Sequence, residues 1–282
     1  VAARVQQYRI APGTHHGWAA RALVGACGSL RPSQLTARVV RLVNGHIENS
    51  DNHFTRKNRS NAVRWLLRKL ENEGAPPLAQ EVVTVNQPRP RNVTSTEVER
   101  QRILSAAPPH LRCWLLLCSD LAIRSGTAAR LTPENYDPVR RELIFTTKYQ
   151  ARQRLPVTAE LAALLDRCKE PAVPFVAQLP RSTATHQQPL HALGHMDANS
   201  LRKLFAKLRQ KLGIRRKLTA HDLRRTTATR VYDATRDVRL VQALLGHGDL
   251  GSTLWYLDHH LTPVPVSALE LAKLNTETET IQ

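Results

Sequence analysis

Apolar positions recur at helical spacing along much of this chain and alternate in one place. Leu35 to Val43 repeats its apolar residues every three or four positions, and Asn61-Ala-Val-Arg-Trp-Leu-Leu-Arg-Lys-Leu70 does so again before Gly74 and Pro76-Pro77 close it, which predicts two helices. The segment Val1 to Ser33 has no clear period, and its structure stays open. Val83-Thr-Val-Asn-Gln-Pro-Arg-Pro-Arg-Asn-Val93 breaks the helical pattern, because each proline disfavours helix in the residue before it. It reads as an extended, positively charged linker. Thr94-Ser-Thr-Glu97 then has the spacing of a capping box, with Val98, Ile103 and Leu104 as the apolar stripe of the helix it starts.

Beyond the linker, Glu142-Leu-Ile-Phe-Thr-Thr147 and Gln153-Arg-Leu-Pro-Val157 are short β-rich runs around a polar turn, and they predict a hairpin with Lys148 at its edge. A loop rich in Pro and His runs from Pro171 to about Met196. Leu201, Leu204, Phe205, Leu208 and Leu212 mark one face of a helix ended by Gly213, and Val266 to Leu274 reads as a short C-terminal helix. The expected fold is mainly α with a small β-hairpin. Residues 1–87 form a helical domain, 88–93 a linker, and 94–282 a second domain.

Charge narrows the partners. The chain has 41 Lys and Arg against 23 Asp and Glu, a net charge of +18, which favours a polyanion, nucleic acid first among them. Arg56, Lys57, Arg59, Arg64 and Arg68 crowd one predicted helix. A solvated helix face explains such a run as readily as phosphate contact does when it stands alone; in a chain this basic, phosphate contact is the better reading. Arg89 and Arg91 in the linker, Arg152 and Arg154 in the hairpin, and Lys203 and Lys207 on the later helix join them as DNA-binding candidates. No apolar run reaches the roughly 18 residues of a membrane span, no signal-peptide pattern is present, and Cys27, Cys113, Cys118 and Cys168 read as buried, reduced thiols. A cytoplasmic protein without membrane contact is expected. Neither His15-His16 nor His259-His260 has a ligand-like partner at helical spacing, so no metal and no cofactor are expected. The first residue is Val1 rather than methionine, which leaves an upstream module open.

Candidate chemistry concentrates late in the chain. His221 and Arg224 are three apart in a stretch that reads as helix, so both emerge on one face and can address one phosphate. His-x-x-Arg alone is more often a surface pair. Here Leu244-Leu-Gly-His247 reads as a helix ending in Gly-His, and Tyr256 follows nine positions later. A phenol beside imidazoles and guanidinium groups can attack a phosphodiester covalently.

With Arg124 and Lys148 upstream, the order Arg124, Lys148, His221, Arg224, His247, Tyr256 resembles the tyrosine recombinase (phage integrase) family, Xer and integrase types included. The match runs from about Thr94 to Leu261. The resemblance implies a core-binding domain followed by a catalytic domain, the two forming a C-shaped clamp on double-stranded DNA. It implies strand exchange by a homotetramer on synapsed sites through a 3′-phosphotyrosine and a Holliday junction, without metal, in integration or excision of a mobile element. By the same implication Tyr256 is the nucleophile, Arg124 and Arg224 hold the phosphate, Lys148 gives a proton to the leaving oxygen, His221 takes the phenol proton, and His247 binds the phosphate or positions the nucleophile. Docking of the C-terminal helix into a neighbouring protomer is implied as well. Two departures stand out: Thr127 occupies a position that is acidic in many members, with Asp222 as a candidate brace, and the turn after Lys148 lacks a glycine, which makes Arg152 a candidate substitute. A type IB topoisomerase and a non-catalytic DNA-binding protein of this fold are the alternatives. Accessory DNA-bending partners stay open.

Overall fold

The computed structural model describes residues 1–50, 52–86, 93–147, 152–181 and 197–257. Lys148, Arg89, Arg91 and the predicted C-terminal helix at 266–274 lie outside them. The fold is mostly helical with one small sheet, and it divides into two compact units, Val1–Arg89 and Pro90–Gln282.

In the first unit, helices α1 (Ala2–Gln7), α2 (His15–Cys27), α3 (Ala37–Glu48) and α4 (His53–Glu71) enclose a core of Leu23, Val40, Val43, Ile47, Val63, Leu66 and Leu70. The segment without visible period thus holds α1 and α2. Of these two, α2 is marked by a cap more than by pattern: Thr14 accepts from the Gly17 amide at 3.0 Å and starts it. In α4, Asn52 plays the same part for the Thr55 amide at 3.2 Å.

The second unit opens with α5 (Glu97–Ala106), two residues later than the Thr94 frame predicts. The sequence Thr94-Ser-Thr-Glu-Val-Glu99 contains two overlapping capping frames, and the later one wins: Thr96 caps the Glu99 amide at 3.1 Å, and a Glu99 carboxylate oxygen accepts the Thr96 amide at 2.9 Å. The earlier frame is unavailable because Ser95 is buried, its amide donating to Thr226 Oγ1 at 2.9 Å. Ile103 and Leu104 are buried as expected, whereas Val98 is exposed on the outer face.

Helix α6 (Pro109–Ser119) is apolar almost all round and lies in the middle of the core, with Trp114, Leu115, Leu116, Leu117 and Cys118 all buried. The four cysteines are buried and unpaired. After the short α7 (Ser125–Ala128) comes an antiparallel sheet of β1 (Tyr136–Asp137), β2 (Glu142–Thr146) and β3 (Arg152–Pro156), with Leu143 opposite Leu155 and Thr146 opposite Arg152. Leu143 and Phe145 alternate inward, the period of two that marks a half-buried strand. Then follow α8 (Ala159–Leu165), α9 (Phe175–Gln178), α10 (Ala198–Lys211), α11 (Ala220–Thr235), α12 (Val238–Leu245) and α13 (Leu250–Leu257). A small separate cluster of Ala122, Ala228, Tyr232, Val241, Leu245 and Leu257 binds α11, α12 and α13 to the turn before α7. Among the described residues, no helix is long and apolar enough to cross a membrane.

Candidate active site

Five of the six residues singled out for chemistry lie in the described structure, and they converge from four places in the chain. Arg124 is the N-cap residue of α7, and its carbonyl accepts the amides of Thr127 and Ala128. The fully buried Trp114 fixes that turn by donating from Nε1 to the Ser125 carbonyl at 3.0 Å. Truncating a buried Trp of this kind costs about 3–5 kcal/mol. Helix α11 carries His221 and Arg224 on one face, its start set by a capping box in which Asp222 Oδ2 accepts the Thr219 amide at 2.8 Å and its hydroxyl at 2.7 Å. His247 follows the left-handed Gly246 (φ +56°) that ends α12, and Tyr256 sits near the end of α13.

Tyr256 Oη is 3.0 Å from the His221 ring nitrogens. The rings of His221 and His247 meet the Tyr256 ring edge-on, with centroids 5.2 and 5.4 Å away. Arg224 is buried, and backbone holds it: Nη1 donates to the carbonyl of Ala122, and Nη2 donates to that of Leu245 at 2.7 Å. The same Nη2 lies 3.4 Å from His247 Nε2. Because a guanidinium only donates, Nε2 is the acceptor there, so Nδ1 carries the proton and donates to the buried Thr253 Oγ1 at 3.0 Å.

Electrostatics follow from this crowding. Burial, then the charges of Arg224 and Arg124, push His247 down to about 4. His221 is also lowered, by desolvation first and then by Arg225 and Arg224, against a weaker pull from Asp222. Near neutral pH the His247 ring is therefore uncharged, and the Arg225 and Arg224 charges favour the uncharged form of His221 as well. Burial raises the Tyr256 phenol, while Arg224, Arg225 and Arg124 draw it back. The arrangement is thus a protonated phenol hydrogen-bonded to an imidazole able to take its proton. In front of His221 opens a cleft of about 730 Å³ whose lining includes Arg124, Arg130, Arg202 and Arg224 and, among the described residues, no acidic one. Four guanidinium groups around one cleft suit a phosphate.

Sequence reasoning missed several of the supports. Arg202, on α10, reaches the cleft and donates to Ser125 Oγ at 2.8 Å, whereas Lys203 and Lys207 from the same helix border a different groove beside His110. Gln153 on β3 donates to the carbonyls of Ala243 at 3.0 Å and Leu244 at 2.6 Å, tying the hairpin to the end of α12. Thr127 lines the cleft, and Asp222 closes its helix cap; Arg224 donates to the carbonyls of Ala122 and Leu245. Arg152 borders a second hollow with Arg239 and His247, and Arg154 pairs with Glu142 at 2.7 Å.

In the first unit, Arg56, Lys57, Arg59, Arg64 and Arg68 all lie on α4. Arg56 Nε donates to the Ser50 carbonyl at 2.5 Å, Arg59 stacks 4.3 Å over Trp18, and Arg64 Nη2 donates to the Val82 carbonyl at 2.8 Å. These three hold their own unit together as well as presenting charge.

The chain is similar to known proteins in part of its sequence and in its fold. A tyrosine recombinase XerS of Streptococcus mutans is 48% identical over 61 residues, 22% of this chain and 17% of that protein. A tyrosine recombinase XerD of Lacticaseibacillus casei is 28% identical over 127 residues, 42% of this chain and 41% of that protein. The matches thus span less than half the length of these relatives. Among solved structures, a lambda integrase dimer bound to a COC′ core site superposes with a TM-score of 0.65 at 15% identity, covering 89% of this chain and 90% of that one. A Tn1549 transposon integrase in complex with transposon right end DNA gives 0.63 at 13%, covering 93% and 92%. At such identities the likeness is one of fold. The phage integrase family signature matches residues 92–262. That span is more than half of the sequence and contains every residue of the cleft, and the chain belongs to the phage integrase family.

Proposed function

We propose that the protein is a site-specific DNA recombinase that cuts and rejoins duplex strands through a covalent bond to Tyr256. The hydrogen-bond contact between Tyr256 Oη and the His221 ring, 3.0 Å long, is the observation that carries this reading. Family membership, recombinases among the relatives and DNA-bound integrases among the structural neighbours support it.

In this reading Tyr256 Oη attacks phosphorus as His221 takes the phenol proton. The bond from phosphorus to the 5′ oxygen breaks, leaving a 3′-phosphotyrosine, and a proton must reach the departing 5′ oxygen. Lys148 is proposed as that donor, with Arg152 as the residue to test beside it. Arg124 and Arg224 neutralise the non-bridging oxygens in the transition state. Loss of either should cost on the order of a hundredfold or more in rate. Rejoining reverses each transfer with a new 5′-hydroxyl. A homotetramer, a Holliday junction, a mobile element as target and a cytoplasmic location are further parts of the same proposal.

A nicked suicide duplex that traps the covalent intermediate tests it. Wild-type protein should give an SDS-resistant adduct, unaffected by EDTA, and Tyr256→Phe should bind the duplex with unchanged affinity and give none. An adduct that survives in Tyr256→Phe refutes the assignment.

A further inference from the structure

Arg225 follows Arg224 on α11 and is buried to the same degree, with 3% of its surface exposed. Consecutive residues on a helix point about 100° apart, so the two guanidinium groups approach Tyr256 from different directions. Arg224 lies toward the phenol oxygen and His247, whereas the Arg225 guanidinium lies over the ring itself, 5.0 Å from its centroid. With the His221 and His247 rings edge-on at 5.2 and 5.4 Å, the phenol is enclosed on three sides. Burying a cation is unfavourable unless its surroundings compensate, and here one surrounding group is the ring that would gain negative charge.

We propose that Arg225 is a positioning residue for the nucleophile: its buried guanidinium fixes the ring plane of Tyr256 and stabilises the charge that develops on the phenol. The inference rests on reading Tyr256 as the attacking group. A guanidinium over an aromatic face is attracted to the ring quadrupole, and the attraction grows as the ring becomes phenolate. Arg225 therefore favours the deprotonated nucleophile over its protonated form. It also helps keep His221 neutral, the form that accepts a proton. Among the described residues, the charged and titratable groups facing Tyr256 are His221, Arg224 and Arg225 from α11, Arg124 from the turn before α7, and His247 from the turn after α12.

Ultraviolet titration of the tyrosinate band, wild type minus Tyr256→Phe, isolates the phenol of Tyr256 in the full chain. In Arg225→Gln its midpoint should rise by about one pH unit, and adduct formation on the suicide duplex at neutral pH should fall roughly tenfold, recovering as pH is raised. Arg225→Lys keeps a buried charge, and with it the fold, but loses the flat stack; it should move the midpoint in the same direction by less. Duplex affinity should stay within about twofold of wild type. An unmoved midpoint in whichever of these variants folds overturns the proposal, including the case in which melting temperature and activity drop together. Should wild type form no adduct on any duplex, the recombinase reading fails, while the phenol titration still decides the role of Arg225.

Discussion

His247 shows how far a site can be set by neighbours that sequence spacing does not reveal. Burial and two guanidinium groups hold its ring near 4, against an ordinary value of 6.5. An unfolded chain therefore binds this proton before the folded one does, so the contribution to stability is complete above about pH 6.5 and erodes as pH falls toward about 4. Replacing His247 by Gln removes the group that titrates, and the loss of melting temperature between pH 7 and pH 5 should become shallower than in wild type. An NMR titration of the His247 ring should place its midpoint near 4. A midpoint close to 6.5 would contradict the hydrogen-bond pattern in which Arg224 donates to Nε2 and Nδ1 donates to Thr253.

Ala122 is a second residue-scale case. Its φ of +49° places it in the left-handed region, which costs an L-residue roughly 1–2 kcal/mol. Its carbonyl accepts from Arg224, so the strained turn is also a brace. Ala122→Gly relieves the strain at an offsetting cost in unfolded-chain entropy, and it should leave stability unchanged or higher by up to about 1 kcal/mol with adduct formation intact. Ala122→Val should destabilise. Thermal melts and the adduct assay on the two variants check both statements.

At the scale of elements, what was legible is local. His221 and Arg224 share a helix face, Gly246 ends α12, and the alternation of Leu143 and Phe145 marks a strand; each depends on residues within a few positions of one another. What was hidden joins distant elements: Arg224 reaches the carbonyl of a residue 102 positions earlier, and Gln153 reaches one 90 positions later. The Thr94 frame misled for the same reason, since the contact that removes Ser95 from the helix comes from Thr226. Gln153 makes the point testable. Its amide satisfies two carbonyls at the open end of α12, and a Cβ on Gly246 would fall 2.8 Å from its Oε1. Gln153→Ala should cost about 1–2 kcal/mol for the two lost hydrogen bonds and slow adduct formation by loosening His247 and the hairpin together. Equal rates in wild type and Gln153→Ala would show that the hairpin needs no such tie.

For the whole molecule, the two units have separate cores: the first draws on residues up to Val85, and the second starts at Val93. Both are basic, with 13 Lys and Arg against 5 Asp and Glu in Val1–Arg89, and 28 against 18 in the remainder. A polyanion gains from each, so neither unit alone should account for binding. Each isolated unit should fold and bind duplex DNA weakly. The intact chain should bind far more tightly, because once one unit is bound the other meets the same duplex at high effective concentration. Phosphate contacts release counterions, so log affinity should fall linearly with log salt, steeply for the intact chain and less so for each part. Gel shifts across a salt series on the three proteins measure this directly. If the second unit alone matched the affinity and salt slope of the intact chain, the basic face of α4 would be serving its own fold, as its contacts to Trp18, Ser50 and Val82 already do, and not the DNA.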